Sequence, residues 1–353
     1  MADVSVRVFD GDTGAVSTGT VAELPVLLTQ PGRWVWVDVP EPDQAAALLL
    51  TQTFGVHPKA AADGLTRNHI ARLHHYGDVL YLALHRPEPG AAGHVHYLEL
   101  DLYVGPRFLV TLHGPRNEVV PLEALLRETT EVGARIDAGR LRPTRPVALL
   151  YALVSALTNV QERLVNEFAQ QVGLLEQRVM TQADDDHPQE FLDELFTVRH
   201  TLLTVRTMAA QGAEVLARTV TLAGRAVSAA ADDKAHADLQ ADLRADRRAD
   251  RHALEDLRDQ YERLDRITRS QLEFLEGVTD FYRARTDTRM TIAAERLAVI
   301  AAVTLPVAAI SGVIGMNVIV NDSTQWTMLI VLVTMMAGLS VSLLVWAKRQ
   351  GWW

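Results

Sequence analysis

The chain has 353 residues, 48% of them hydrophobic, with a formal net charge of −10 and no cysteine. That length allows more than one domain. The acidic balance argues against nucleic acid and for cations or basic surfaces as partners, and the absence of thiols excludes disulfides and thiolate metal sites. The opening MADVSVRVFDGDTG has neither the basic start nor the apolar run of a signal peptide, so the residues ahead of about 290 are expected to stay in the cytoplasm.

Residues 1–145 read as a cytoplasmic α+β domain. Val4–Val8 and Trp34–Asp38 alternate with period two, as half-buried strands do. Val79–Leu84, Tyr97–Leu102 and Phe108–Leu112 are further strands, with turns at Gly90–Gly93 and Gly105-Pro106. Pro42–Phe54 looks helical, and His57-Pro58 opens a second helix reaching Asp63.

Residues 146–250 change texture to long helices. Leu149–Met180 carries apolar residues at i, i+3 and i+4 until Asp184–Asp186 and Pro188 break it, and a second helix runs from about Pro188 to Ala217. The Ala-, Asp- and Arg-rich stretch 225–250 is read as a charge-laced exposed helix. Residues 251–296 form a stalk that continues unbroken into an uncharged run, with Gly277 as one weak point.

That run, 297–317, and a second, 326–347, are each long enough to cross a bilayer at a rise of about 1.5 Å per residue. A loop at 318–325 joins them and a tail at 348–353 follows. Arg283, Arg285, Arg289 and Arg296 precede the first run, Lys348 and Arg349 follow the second, and the loop carries only Asp322. Positive charge stays inside, which makes this a multi-pass inner- or plasma-membrane protein with both termini cytoplasmic. Trp326, Trp346, Trp352 and Trp353 stand where interfacial aromatics belong.

Along the stalk and the first uncharged run, Asp280, Asp287, Thr291, Ala294, Leu297, Ala301, Leu305, Ala308 and Gly312 share one face. Small residues at this spacing let helices approach closely around an axis. Several copies around that axis turn each polar position into a ring, and a ring of carboxylates repels itself unless a cation occupies its centre.

At the outer end of that face stands Gly315-Met316-Asn317, with Pro306 eleven residues before Asn317, Gly312 five before and Trp326 nine after. Upstream, FGVHPKAAADGLTRNH (Phe54–His69), Trp36-Val-Asp38 and Leu109–His113 complete a pattern that resembles the CorA-type divalent-cation channels. The resemblance implies a funnel-shaped homopentamer in the lipid bilayer whose first membrane helices line the pore. Gly315, Met316 and Asn317 would then be its selectivity filter. Mg²⁺ is the implied cargo and the implied regulatory ion, with possible passage of Co²⁺ and Ni²⁺. The regulatory metal falls between Asp63 and Asp256 of neighbouring subunits, and no organic cofactor or nucleic acid is expected.

The departures are specific. Ala62 stands where the family's acidic pair begins, and His69-Ile70-Ala71-Arg72 replaces its basic segment. Thr291 takes the place of a pore Asn and Ala294 that of a bulkier Met, while the loop VIVNDSTQW lacks the usual Met-Pro-Glu. Leu297 and Leu305 match the apolar positions of a dewetting gate. His74-His75 and His94/His96 lack the spacing of a closed metal site. No P-loop, G-x-S-x-G or HExxH is present, so no enzyme is expected. Two rivals remain: a proton-coupled zinc transporter on the same scaffold, and a non-conducting membrane-anchored interaction module.

Overall fold

A computed structural model describes residues 4–181, 188–229, 237–318 and 326–349. The Asp184–Asp186 break, the loop with Asp322, and Trp352 and Trp353 lie outside the described residues. The chain divides into two compact units, Met1–Glu276 and Gly277–Trp353.

In the first unit the strands are β1 (Ser5–Asp10), β2 (Val16–Gly19), β3 (Arg33–Val39), β4 (Arg72–Tyr76), β5 (Val79–Pro89), β6 (Val95–Gly105) and β7 (Phe108–Leu112). They form one sheet in the order β2-β1-β3-β7-β6-β5-β4. The β3–β7 pair is parallel and every other pair is antiparallel. The helices are α1 (Leu24–Leu27), α2 (Gln44–Gln52), α3 (Pro58–Asp63), α4 (Leu122–Leu125), α5 (Arg127–Asp137), α6 (Pro146–Thr181) and α7 (Pro188–Ala229), and α8 (Ala237–Val318) begins in this unit and continues into the second. A further helix, α9 (Trp326–Arg349), belongs to the second unit.

The centre of the sheet is covered on both sides. Val35, Val37, Tyr81, Ala83, Tyr103 and Val110 pack with Ala46 and Leu50 of α2 and Ala60 and Ala61 of α3. The long helices α6 and α7 lie against β5, and α6 also reaches β3, β6 and β7. Trp34 to Val37 are therefore all buried, and β3 is a central strand rather than the half-buried one its alternation suggests. The alternation it carries is Trp against Val, one face per core. β2 and β4, which lack a clean apolar period, are the edge strands.

The FGVHP stretch acts as a helix-to-helix joint. Phe54 packs on Phe108 with ring centroids 4.7 Å apart. Gly55 takes φ +66°, a left-handed conformation that suits glycine, and lets Val56 N–H bond back to the Leu50 carbonyl at 3.0 Å. His57 caps α3 by accepting from Lys59 N–H at 3.2 Å, and Pro58 occupies the first helical position, where its missing N–H costs nothing. Local chemistry thus sets where α3 starts, and through it where Asp63 ends up.

Two buried polar clusters tie the helical layer to the sheet. Arg86 on β5 is 1% exposed. Its Nε lies 2.6 Å from Glu128 Oε1 of α5 as an ion pair, without hydrogen-bond angles, and it also bonds Glu88 and the Ala124 carbonyl. Asp38 accepts from His113 Nε2 at 2.9 Å and from Thr111 Oγ1, which in turn accepts from Trp36 Nε1 at 3.1 Å. Burial alone would push the Asp38 carboxyl up, but His113 and the hydroxyl donors more than offset it and hold it below the usual range. Replacing Arg86 by Ala strands Glu128 without its cation. Unfolding of the full-length protein in detergent, followed by circular dichroism, should show a loss of about 3–5 kcal/mol.

Candidate functional site

Asp63 is the last residue of α3, half-buried, with Arg72 Nη1 3.8 Å from its carboxylate. Ala62 beside it is exposed. Asp256 lies on α8 and is exposed on an open groove of about 550 Å³ lined by Leu141, Pro143, Thr144, Ala148, Tyr151 and Ala253, among others. It accepts from the Tyr151 hydroxyl at 2.7 Å and from Gln260 Nε2 at 2.8 Å. The bond to Asp256, with burial, pushes the Tyr151 phenol up. Asp63 and Asp256 thus take separate partners within the chain. Among the described residues no three His, Asp or Glu side chains converge as a metal-binding group.

The second unit carries the helical face singled out in the sequence. Asp280, Asp287, Thr291, Ala294, Leu297, Ala301, Leu305, Ala308 and Gly312 all fall on α8, which continues helically through Gly315-Met316-Asn317 to Val318. Leu297 and Leu305 are 67% and 66% exposed. Asp280 lies 3.7 Å from Arg283 of its own helix, and Thr291 Oγ1 donates to the Asp287 carbonyl at 2.9 Å. The described stretch Asp246–Gly312 holds a window long and apolar enough to cross a membrane, and none of that window is buried in the chain. The described apolar stretch of α9, Val333–Trp346, is shorter, and Lys348 and Arg349 close that helix. A bare apolar face of this length calls for lipid or protein to cover it.

The histidines scatter. His74 on β4 lies between the rings of Tyr76 and Tyr81, with centroids 5.9 and 6.0 Å away. His94 and His96 touch edge to face at 4.6 Å, and Asn117 Nδ2 lies 3.3 Å from His96 Nδ1.

The sequence reading missed a buried acidic pair beside Asp63. Glu99 and Asp101 on β6 are 5% and 0% exposed. Glu99 Oε2 accepts from Asn68 N–H at 3.0 Å and Asp101 Oδ1 from the Tyr81 hydroxyl at 2.9 Å. Their other oxygens have no partner. Burial pushes the Glu99 carboxyl up to about 7 and, with the neighbouring Glu99 charge, holds Asp101 well above its ordinary value.

A family model described as CorA-like Mg²⁺ transporter protein matches residues 31–349. Among solved structures, the complete CorA magnesium transporter from Methanocaldococcus jannaschii is similar over 100% of both chains, with a TM-score of 0.74 and 15% identity. Full-length CmaX is similar over 99% of this chain and 97% of its own, with a TM-score of 0.70 and 17% identity. The ZntB cytoplasmic domain from Vibrio parahaemolyticus RIMD 2210633 covers 80% of this chain and 98% of its own, with a TM-score of 0.57 and 11% identity. No curated protein matches the sequence.

Proposed function

The chain belongs to the CorA-like Mg²⁺ transporter family of divalent-cation transporters, and from that premise we propose that it is a homopentameric channel carrying divalent cations, chiefly Mg²⁺, into the cytoplasm. The observation that carries this reading is the bare face of α8, which runs from Asp280 to Gly312 and leads to Gly315-Met316-Asn317. We assign residues 1–145 and 146–250 to the cytoplasmic domain and 251–296 to the stalk. Residues 297–317 and 326–347 are the spans, and 318–325 is the outer loop.

Five copies of that face around one axis make a graded path. Five Asn317 amide oxygens accept hydrogen bonds from the water shell that Mg²⁺ holds tightly, without trapping the ion as a carboxylate ring would. Leu305 and Leu297 form apolar rings that close the pore by dewetting, and Asp287 and Asp280 form carboxylate rings that attract the cation beyond them.

Gating follows from the distribution of Asp63 and Asp256. One carboxylate from each of two neighbouring subunits suits Mg²⁺, which commonly takes one or two carboxylates and keeps several waters. Bound ions hold the subunits in a closed arrangement, and their loss leaves carboxylates that repel. The ion can stabilise only the arrangement that binds it better.

The deciding experiment compares Mg²⁺, Co²⁺, Ni²⁺ and Zn²⁺ uptake in proteoliposomes, with and without a pH gradient. Mg²⁺ uptake without a gradient is expected. Zn²⁺ uptake that needs a gradient, with no Mg²⁺ flux, would establish the zinc transporter instead, and no flux of any ion would establish a non-conducting module. Asn317→Ala should abolish selective flux in the same assay, and persisting Mg²⁺ selectivity would remove Asn317 from the filter. Asp63→Ala combined with Asp256→Ala should leave uptake running at internal Mg²⁺ levels that stop the wild type. Arg72 competes with a metal for Asp63, so Arg72→Ala should tighten Mg²⁺ inhibition by up to about fivefold, the worth of a partly exposed ion pair.

A further inference from the structure

We propose that Glu99 and Asp101 form a buried proton-binding site that latches the segment carrying Asp63, residues 60–71, onto the sheet. The two carboxylates are two residues apart on β6 and point to the same face. His85 of β5 is the direct cross-strand partner of Glu99, and Ala83 that of Asp101. On this face Glu99 Oε1, Asp101 Oδ2 and His85 Nδ1 are all buried without a hydrogen-bond partner among the described residues. Such groups call for an explanation, because native proteins leave few of them.

Among the described residues no cation pairs with the two carboxylates, and the charges of Arg72 and Arg67 lower the Glu99 carboxyl without offsetting its burial. Arg72 turns to Asp63, and Arg67 donates to the carbonyls of Pro115 and Arg116 at 3.0 and 3.1 Å. The donors that do reach the pair are neutral: the Asn68 N–H and the Tyr81 hydroxyl. Two adjacent carboxylates at this depth cannot both stay ionised cheaply, so the pair takes up a proton.

The same groups hold the covering segment down. Asn68 donates its N–H to Glu99 and accepts from His85 Nε2 on its carbonyl at 2.7 Å. The Tyr103 hydroxyl donates to the Ala60 carbonyl of α3 at 2.8 Å, and its ring stacks on Tyr81, with centroids 4.8 Å apart. Water reaches the pair by lifting this segment, so ionisation and release are linked.

The sign follows from the raised carboxyl values. The latched state holds its proton more tightly than a released, hydrated one, so latching is full below the ordinary value of 4.5 and is lost as pH rises through about 7. Other titratable or charged groups nearby are Asp63, Arg67, His69, Arg72, Tyr81, Tyr97, Tyr103 and His113. Burial keeps His85 neutral down to about 4, so it takes no part in that range. His69, edge-on to Tyr97 at 5.3 Å, and His113, bonded to Asp38, are the other imidazoles beside the pair, and His69 lies on the covering segment itself.

The latch does not depend on whether Asp63 binds metal, so it is tested on the full-length protein in detergent with a chelator present. Hydrogen exchange of the 60–71 peptide, corrected for intrinsic rates, should lose at least about tenfold in protection between about pH 5 and pH 7.5. Glu99→Gln with Asp101→Asn should flatten that dependence, while His69→Gln should leave it in place. Infrared spectra of the unmodified protein should show a protonated-carboxyl band disappearing over the same range, a readout that needs no variant to fold. A flat profile in the wild type, an unchanged step in the double variant, its loss in His69→Gln, or no such band would each overturn the proposal.

Discussion

A sheet covered on both faces leaves its polar side chains no water to turn to. β3 and β7 lie at the centre of the order β2-β1-β3-β7-β6-β5-β4, with α2 and α3 over one face and α6 and α7 over the other. Each polar residue on the inner strands must then find a partner inside the protein or change its charge. Arg86, Asp38 and His113 follow the first course, through Glu128, Thr111 and Trp36. Glu99 and Asp101 follow the second. The same double coverage sets the position of Asp63, because α3 is pinned from beneath by Tyr103 and begun by a cap at His57.

Local signals explain what was legible in the sequence. Phe108–Leu112 is a strand with the predicted bounds, and the long helices appear where i, i+3 and i+4 spacing placed them, as α6 and α7. α7 extends past the expected end at Ala217 to Ala229, and its continuation is packed, with Thr219 and Val220 buried. Residues 237–250 are also helical, as the first turns of α8.

What was not legible depended on contacts from far along the chain. Alternation in YLELDL places Glu99 and Asp101 on a polar, hence solvent-facing, side. Residues more than 30 positions earlier, around Asn68, cover that side, and no local pattern records the cover. Trp34 and Trp36 were assigned a half-buried strand for the same reason, because a two-sided core replaces polar residues with large apolar ones. α5 (Arg127–Asp137) went unpredicted although its buried Val132 and Ile136 are four apart. Its flanks are rich in Arg and Glu, and one of those glutamates, Glu128, is itself buried by the pair with Arg86.

The candidate sites share a feature that bears on assembly. Asp63 and Asp256 each supply one carboxylate with its own intramolecular partners, and Asp280 and Asp287 stand on a helix whose apolar window is bare among the described residues. A lone exposed carboxylate holds a hydrated divalent cation only weakly, yet a closed protein cage would hold Mg²⁺ too well for rapid release. In the proposed pentamer, symmetric repetition would resolve that conflict, because one exposed group per chain becomes a ring whose strength depends on how closely the copies approach. On the proposed reading, such a chain would keep its ion-binding chemistry incomplete until it assembles. Small movements between copies, rather than changes within one, can then switch the affinity.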